Sequence, residues 1–186
     1  MGNADNMQHP TEKYGWIHAL TIPRELKWKK GKLFQQPVKE MKSLRGTEVI
    51  HKDVVVDRHL VKLPQVEGQV FELEVVVKDF KASHFSIKIG EFSKITFDQK
   101  ASLFTFERKR IDGDGTVEKR HCVLENVEGI HIFKDTSSLE IFINGGEEVF
   151  TSRVYDNLEN EEIAFSAENG NVKIDISKWD LKKVFS

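Results

Sequence analysis

From residue 70 onward the chain alternates apolar and polar residues with period two, and this rhythm restricts the fold more than any other feature. In "VFELEVVVK", Phe71, Leu73, Val75 and Val77 share one face, and Glu72, Glu74 and Lys78 share the other. "HFSIKIGEF" sets Phe85, Ile87 and Ile89 against Ser86 and Lys88, and "NVKIDISKW" sets Val172, Ile174 and Ile176 against Lys173, Asp175 and Ser177. Such alternation suits strands that bury one face and solvate the other, as in antiparallel sheets.

Turn signals separate these runs: "DGDG" at 112–115, "NGG" at 144–146 and "ENGN" at 168–171. Each reads as a hairpin. Many short strands without a long helical pattern predict an all-β chain, a sandwich or barrel. The one helix-like stretch is "QPVKEMKSLRG" at 36–46, with Pro37 at a first helical position and Val38, Met41 and Leu44 or Arg45 on one face. It reads equally as an extended connector. The first 45 residues alternate poorly; "IHALTIPREL" suggests a single strand running into Pro23, in a segment too small for its own core.

A chain of 186 residues is long enough to bury a substantial core. Its 28 Lys plus Arg nearly balance 30 Asp plus Glu, for a formal charge of −2, which argues against nucleic acid as a partner. The small basic run of Lys27, Lys29, Lys30 and Lys32 reads as a solvated turn around Gly31. A single cysteine, Cys122, excludes an internal disulfide and fits a reducing compartment. With no apolar stretch of transmembrane length and no leader pattern, the expectation is a soluble, cytoplasmic protein without a membrane partner.

The densest segment is "DTSSLEIFINGGEEVFTSRVY", residues 135–155, which holds Asp135, Glu140, Glu147, Glu148 and Arg153. Leu139, Ile141 and Ile143 point one way and Glu140 and Phe142 the other. The return strand separates Val149, Thr151, Arg153 and Tyr155 from Phe150, Ser152 and Val154. Glu140 and Arg153 are then candidates for an exposed cross-strand pair, worth at most about 1 kcal/mol. Paired catalytic carboxylates of a glycosidase need a controlled separation of roughly 5–10 Å, and nothing in the segment imposes one.

From Asp135 to Arg153 the pattern D-x-S-S-x-E-x-F-x-N-x-G-E-x-V-x-T-x-R resembles the C-terminal domain of glycoside hydrolase family 32, the invertases, levanases and bacterial sucrose-6-phosphate hydrolases. "GWIHALTIPREL" (15–26) and "GKLFQQPVKEMKSLR" (31–45) are similar to the segment joining that family's two domains, and "HPTEKYGWIHALTIPREL" looks closest to its bacterial intracellular branch. The resemblance implies a five-bladed β-propeller carrying the active site, followed by a lectin-like or jelly-roll-like β-sandwich of two antiparallel sheets. It implies division into 1–25 (remnant of the last blade), 26–46 (connector) and 47–186 (sandwich). The family's Asp nucleophile, Glu acid/base and transition-state Asp belong to motifs W-M-N-D-P-N-G, R-D-P and E-C. None occurs here: no Asp precedes a proline, and His121 precedes Cys122. The resemblance therefore implies that the catalytic acids lie before Met1 and that this chain alone is inactive. Its implied partners are the N-terminal propeller in cis and, for the longer enzyme, a sugar substrate; no catalytic residue, cofactor or metal is implied within the chain. A homodimer is left open.

Other candidates fare worse. "DGDG" faintly echoes a calcium loop but lacks the spaced ligands. Seven histidines (His9, His18, His51, His59, His84, His121, His131) form no H-x-x-x-H pair or Cys/His cluster. His121 and Cys122, adjacent on a strand, point to opposite faces and do not make a nucleophile–base pair. Trp16, Trp28 and Trp179 are the candidates for a sugar-stacking platform, which would make the chain a carbohydrate-binding module. The competing expectation packs Trp16 in an inter-domain seam and uses Trp179 to close the core. A stand-alone interaction domain leaves residues 1–25 unexplained.

Overall fold

The structure, a computed structural model, describes residues 9–29, 31–110, 115–155 and 160–182. Thirteen strands dominate it. β1 (Arg24–Lys29) and β2 (Lys32–Pro37) form a two-stranded ribbon, followed by β3 (Arg45–Val56), β4 (Phe71–Phe80), β5 (His84–Ile89), β6 (Ser93–Asp98) and β7 (Leu103–Lys109). After them come β8 (Val117–Val123), β9 (Gly129–Asp135), β10 (Ser138–Ile143), β11 (Glu148–Arg153), β12 (Ile163–Glu168) and β13 (Val172–Leu181). One sheet has the order β11-β10-β9-β4-β13-β3 and the second β12-β5-β6-β7-β8, with antiparallel pairing throughout. The predicted two-sheet sandwich is therefore the fold.

The period-two residues meet between the sheets. Phe71, Leu73 and Val75, Ile141 and Ile143, and Ile174 and Ile176 from one sheet face Phe85, Ile87, Phe97, Phe104 and Phe165 from the other, all buried. Phe104 of β7 stacks on Phe150 of β11 across the gap, ring centroids 5.6 Å apart. Burying one such side chain stabilises the fold by about 1.5–3 kcal/mol, so this dry layer is its main support. The loop from Asp57 to Val70 bridges Val61 to Phe165 and Glu67 to Glu162, covering the edge that β12 would otherwise leave unpaired.

The turn predictions held in part. Asn144, Gly145 and Gly146 all have positive φ and close the β10–β11 hairpin. Asn169 and Gly170 also have positive φ, but they carry the chain from β12 in one sheet to β13 in the other. "ENGN" is thus a sheet-to-sheet turn, not a hairpin. A Cβ on Gly170 would lie 1.8 Å from the Lys81 carbonyl oxygen, so the crossing requires glycine. "DGDG" lies mostly outside the described residues; the strands flanking it, β7 and β8, do pair. The Gly31 turn joins β1 to β2, with Lys27, Lys29 and Lys32 exposed as expected.

Near the N-terminus the expectations need correction. Residues 17–23 belong to no strand, and β1 starts only after Pro23. The helix-like stretch is a 3-10 helix at Lys39–Leu44, with Pro37 ending β2 and Val38 as its cap. Its three-residue repeat aligns Met41 with Leu44. Trp179 is buried, yet it does not close the inter-sheet core: it lies on the outer face of β13 opposite Glu72, beneath the Arg45 guanidinium.

Candidate functional site: a clasp on the outer face of the larger sheet

Strict alternation would leave the outer face of the six-stranded sheet in water. Instead, Glu72, Phe133, Glu140, Phe142 and Arg153 on that face are all buried. Arg45 lies against Glu72, and the N-terminal segment up to Pro37 grips the β10–β11 hairpin around Glu140, Phe142 and Arg153 as a strap and a ribbon.

Glu140 is the centre of the clasp. Its position follows from hairpin register: Ile143 pairs with Glu148, which places Glu140 opposite Thr151 and Ser138 opposite Arg153. The anticipated Glu140–Arg153 pair therefore does not form. Arg24 of β1 donates to Glu140 Oε2 at 2.5 Å and to Thr151 Oγ1 at 2.5 Å, and the Ile22 backbone N–H donates to Glu140 Oε1 at 2.8 Å. Arg24 also donates to Gln35 Oε1 and lies over the Phe142 ring. With both oxygens engaged by a cation and an amide, Glu140 binds the strap and is poorly disposed to move a proton.

Arg153, 6 % exposed, makes the second anchor. It donates to the Ile17 carbonyl at 2.8 Å, the Ser137 carbonyl at 3.0 Å and the Tyr155 hydroxyl at 2.5 Å, with Trp16 over its guanidinium. A third contact set ties the ribbon to the β10–β11 turn: Gln35 N–H donates to the Gly146 carbonyl, Gln36 Nε2 to the Gly145 carbonyl, and Lys32 to Glu147. A Cβ on Gly146 would come within 1.9 Å of the Gln35 carbonyl oxygen, so the approach depends on glycine. Of the acids in 135–155, Glu147 and Glu148 thus pair with Lys32, and Asp135 accepts the Thr136 N–H at an exposed turn. Asp135 and Glu140 both border one cleft, but the two oxygens of Glu140 are taken up by Arg24 and the Ile22 N–H.

Farther along the same face, Arg45 clamps Glu72 at 2.5 Å and Glu74 at 2.6 Å, and His131 lies 2.6 Å from Glu72. Burial pushes the Glu72 carboxyl up, but its hydrogen bonds with Arg45 and then His131 outweigh this and hold it below the usual range. Glu72, Glu74 and His131 offer three ligand atoms within 4.8 Å of one another, a set not legible from linear spacing because β4 and β9 supply it. The Arg45 guanidinium already supplies the positive charge a cation would bring.

The remaining candidates stay apart. His51 approaches the Pro64 carbonyl and His59 approaches Asp57. His121 is on the solvent face beside Thr105, whereas half-buried Cys122 packs against the core and its thiol is pushed up to about 12, chiefly by burial. Trp16, Trp28 and Trp179 do not assemble into one platform: Trp28 is at the ribbon's exposed end and Trp179 is under Arg45. Among the described residues no helix is long and apolar enough to cross a membrane.

The family model described as "Glycosyl hydrolases family 32 C terminal" matches residues 40–182. The sucrose-6-phosphate hydrolase of Bacillus subtilis (strain 168) is 35% identical over 178 residues, covering 95% of this chain and 36% of the relative. A raffinose invertase of Escherichia coli is 32% identical over 181 residues, covering 92% and 37%. Among solved structures, a sucrose-6-phosphate hydrolase from Lactobacillus gasseri superimposes with TM-score 0.76 at 25% identity, over 98% of this chain and 38% of that one. A Bombyx mori GH32 beta-fructofuranosidase shares the fold, with TM-score 0.70 at 20% identity, over 97% and 37%. The chain spans little more than a third of the length of these relatives.

Proposed function

Because this chain belongs to glycosyl hydrolase family 32, as its C-terminal domain, we propose that it is the supporting sandwich of a longer β-fructofuranosidase acting on sucrose 6-phosphate or sucrose. The catalytic carboxylates would reside in an N-terminal five-bladed propeller of the same polypeptide, which binds the sugar substrate. The sandwich would hold that propeller in place in the cytoplasm and take no part in bond cleavage. One observation carries this reading: the sheet face around Glu140 and Arg153 is built to grip the N-terminal segment, and every acid of 135–155 has a structural partner or an exposed turn position.

The expected division into 1–25, 26–46 and 47–186 is kept with one adjustment. β1 and β2 pair only with each other among the described strands, so we assign the whole ribbon through Pro37 to the N-terminal side. The side chains turned outward on that side, Tyr14, Trp16, Leu20, Leu26 and Trp28, are 69%, 40%, 94%, 60% and 75% exposed. Apolar groups so disposed mark a surface meant to be covered. A homodimer through this surface is the rival, and light scattering of the isolated chain tests it directly.

The test of function is a pair of assays. The 186-residue chain alone is expected to hydrolyse neither sucrose nor sucrose 6-phosphate. A chimera in which it replaces the homologous third of the Bacillus subtilis enzyme is expected to hydrolyse sucrose 6-phosphate. Activity of the isolated chain, or a folded but inert chimera, would overturn the proposal.

A further inference from the structure

Beside the clasp, the strap does not close completely on the sheet. A cleft of about 520 Å³ opens between strap, 3-10 helix and sheet. Its apolar walls are Leu20 and Ile22 of the strap, Met41 and Leu44 of the helix, Phe133 of β9 and Leu181 of β13. Buried Lys134 and Glu140 also line it, as do Asp135 and Lys182. Volume and lining place it in the range of sites that receive a compact apolar group.

Leu20 sets this cleft apart from an ordinary surface groove. It lines the opening while 94% exposed, although its neighbours on the strap, Ile22 and Arg24, are turned toward the sheet. The helix contributes the same way: Met41 and Leu44 face the cleft from one side of a turn that has no buried residue. Apolar side chains thus ring an open socket at the place where the N-terminal segment joins the sandwich. In the Lactobacillus gasseri structure the matched fold is 38% of the chain, so a larger body of the same polypeptide stands outside it.

We propose that this cleft is the socket into which the N-terminal module of the longer enzyme seats an apolar side chain, with Leu20 as its rim; this rests on the reading of the preceding subsection. The occupant is in cis and apolar: apolar side chains predominate in the lining, Lys134 donates to Gln69, and the Glu140 carboxylate is taken up by Arg24 and the Ile22 N–H, while Asp135 and Lys182 also border the cleft. The clasp sets the strap's path, and the socket fixes the module's angle on the sandwich.

Leu20→Asp tests this without endangering the fold, because the side chain is solvated in the isolated chain. Val123→Asp, on the exposed edge strand β8 and 72% exposed, is the control. In the isolated chain both variants are expected to melt with the unsubstituted protein. In the chimera, Leu20→Asp is expected to lower sucrose 6-phosphate hydrolysis and the half-life at elevated temperature by about tenfold, the scale of one lost apolar contact, while Val123→Asp changes neither. Equal behaviour of the two variants in an active chimera would overturn the socket and leave the functional reading intact. An inert unsubstituted chimera would instead sink the functional reading itself. A stable dimer of the isolated chain, dissolved by Leu20→Asp, would assign the cleft to a second copy and overturn the proposal.

Discussion

The two faces of the six-stranded sheet are both buried, and they are buried by different physics. Toward the second sheet, Leu73, Ile141 and Ile174 meet other apolar side chains in a dry layer that any residues of similar size and pattern could fill. On the outer face, Glu72, Glu140 and Arg153 are equally hidden from water, but each is held by two or three directional partners. Buried charge costs several kcal/mol of desolvation and is tolerated only when its partners are in place. The first face therefore specifies a sandwich. The second specifies what may lie upon it.

Phe104→Ala on the dry side gives the largest expected effect. The ring is fully buried and bridges the sheets through Phe150, so its removal should cost about 3–5 kcal/mol and shift the global unfolding midpoint in urea. Glu140→Ala on the outer side leaves the Arg24 guanidinium without its carboxylate, at a local cost of about 3 kcal/mol. Because the strap adds nothing to the inter-sheet core, the loss should appear as hydrogen exchange of residues 16–37 rising well ahead of β4 and β13. If the amides of β4 and β13 opened in parallel with the strap, the two faces would be one cooperative unit and the contrast would fail.

A smaller effect separates the faces by pH. Glu72 has its folded-state ionisation depressed, so its contribution is fully present above the unfolded value near 4.5 and is lost as pH falls through the lower folded value. Stability of the native chain should therefore decline below about pH 4.5, and Glu72→Gln should flatten that acid limb. Urea midpoints measured from pH 6 to pH 3 check the slope. The dry face has no carboxylate in its cluster and cannot produce this limb.

The same contrast explains what could be read from the chain beforehand. Period-two spacing is local, so the inter-sheet residues of β4, β5, β10 and β13 were legible, as were the positive-φ turns at Asn144 and Asn169. Whether a turn joins neighbours in one sheet or crosses to the other is not written in its own four residues, and "ENGN" misled for that reason. Glu140 and Arg153 stood out in the sequence, but their true partners, Arg24 and the Ile17 carbonyl, are more than a hundred residues away. Only the register of β10 on β11 and the strap's path bring them together. The Arg45–Glu72–His131 cluster had no local signal at all, since its members come from three strands. In the 3-10 helix, spacing did identify the shared face of Met41 and Leu44, because three-residue repetition suits either helix type.

The smallest expected effect tests whether Trp28 has a partner outside this chain. Trp28 is 75% exposed at the far end of the ribbon, opposite Leu33, which is 46% exposed. Trp28→Ser removes a large apolar surface that water already touches, so the midpoint of the isolated chain should move by less than about 0.5 kcal/mol. A larger drop would mean that Trp28 itself is already supported within the chain. An unchanged midpoint in the isolated chain, joined to a clear loss in the chimera, would place the missing partner of Trp28 in the N-terminal module. Truncating a tryptophan becomes costly only when something buries it.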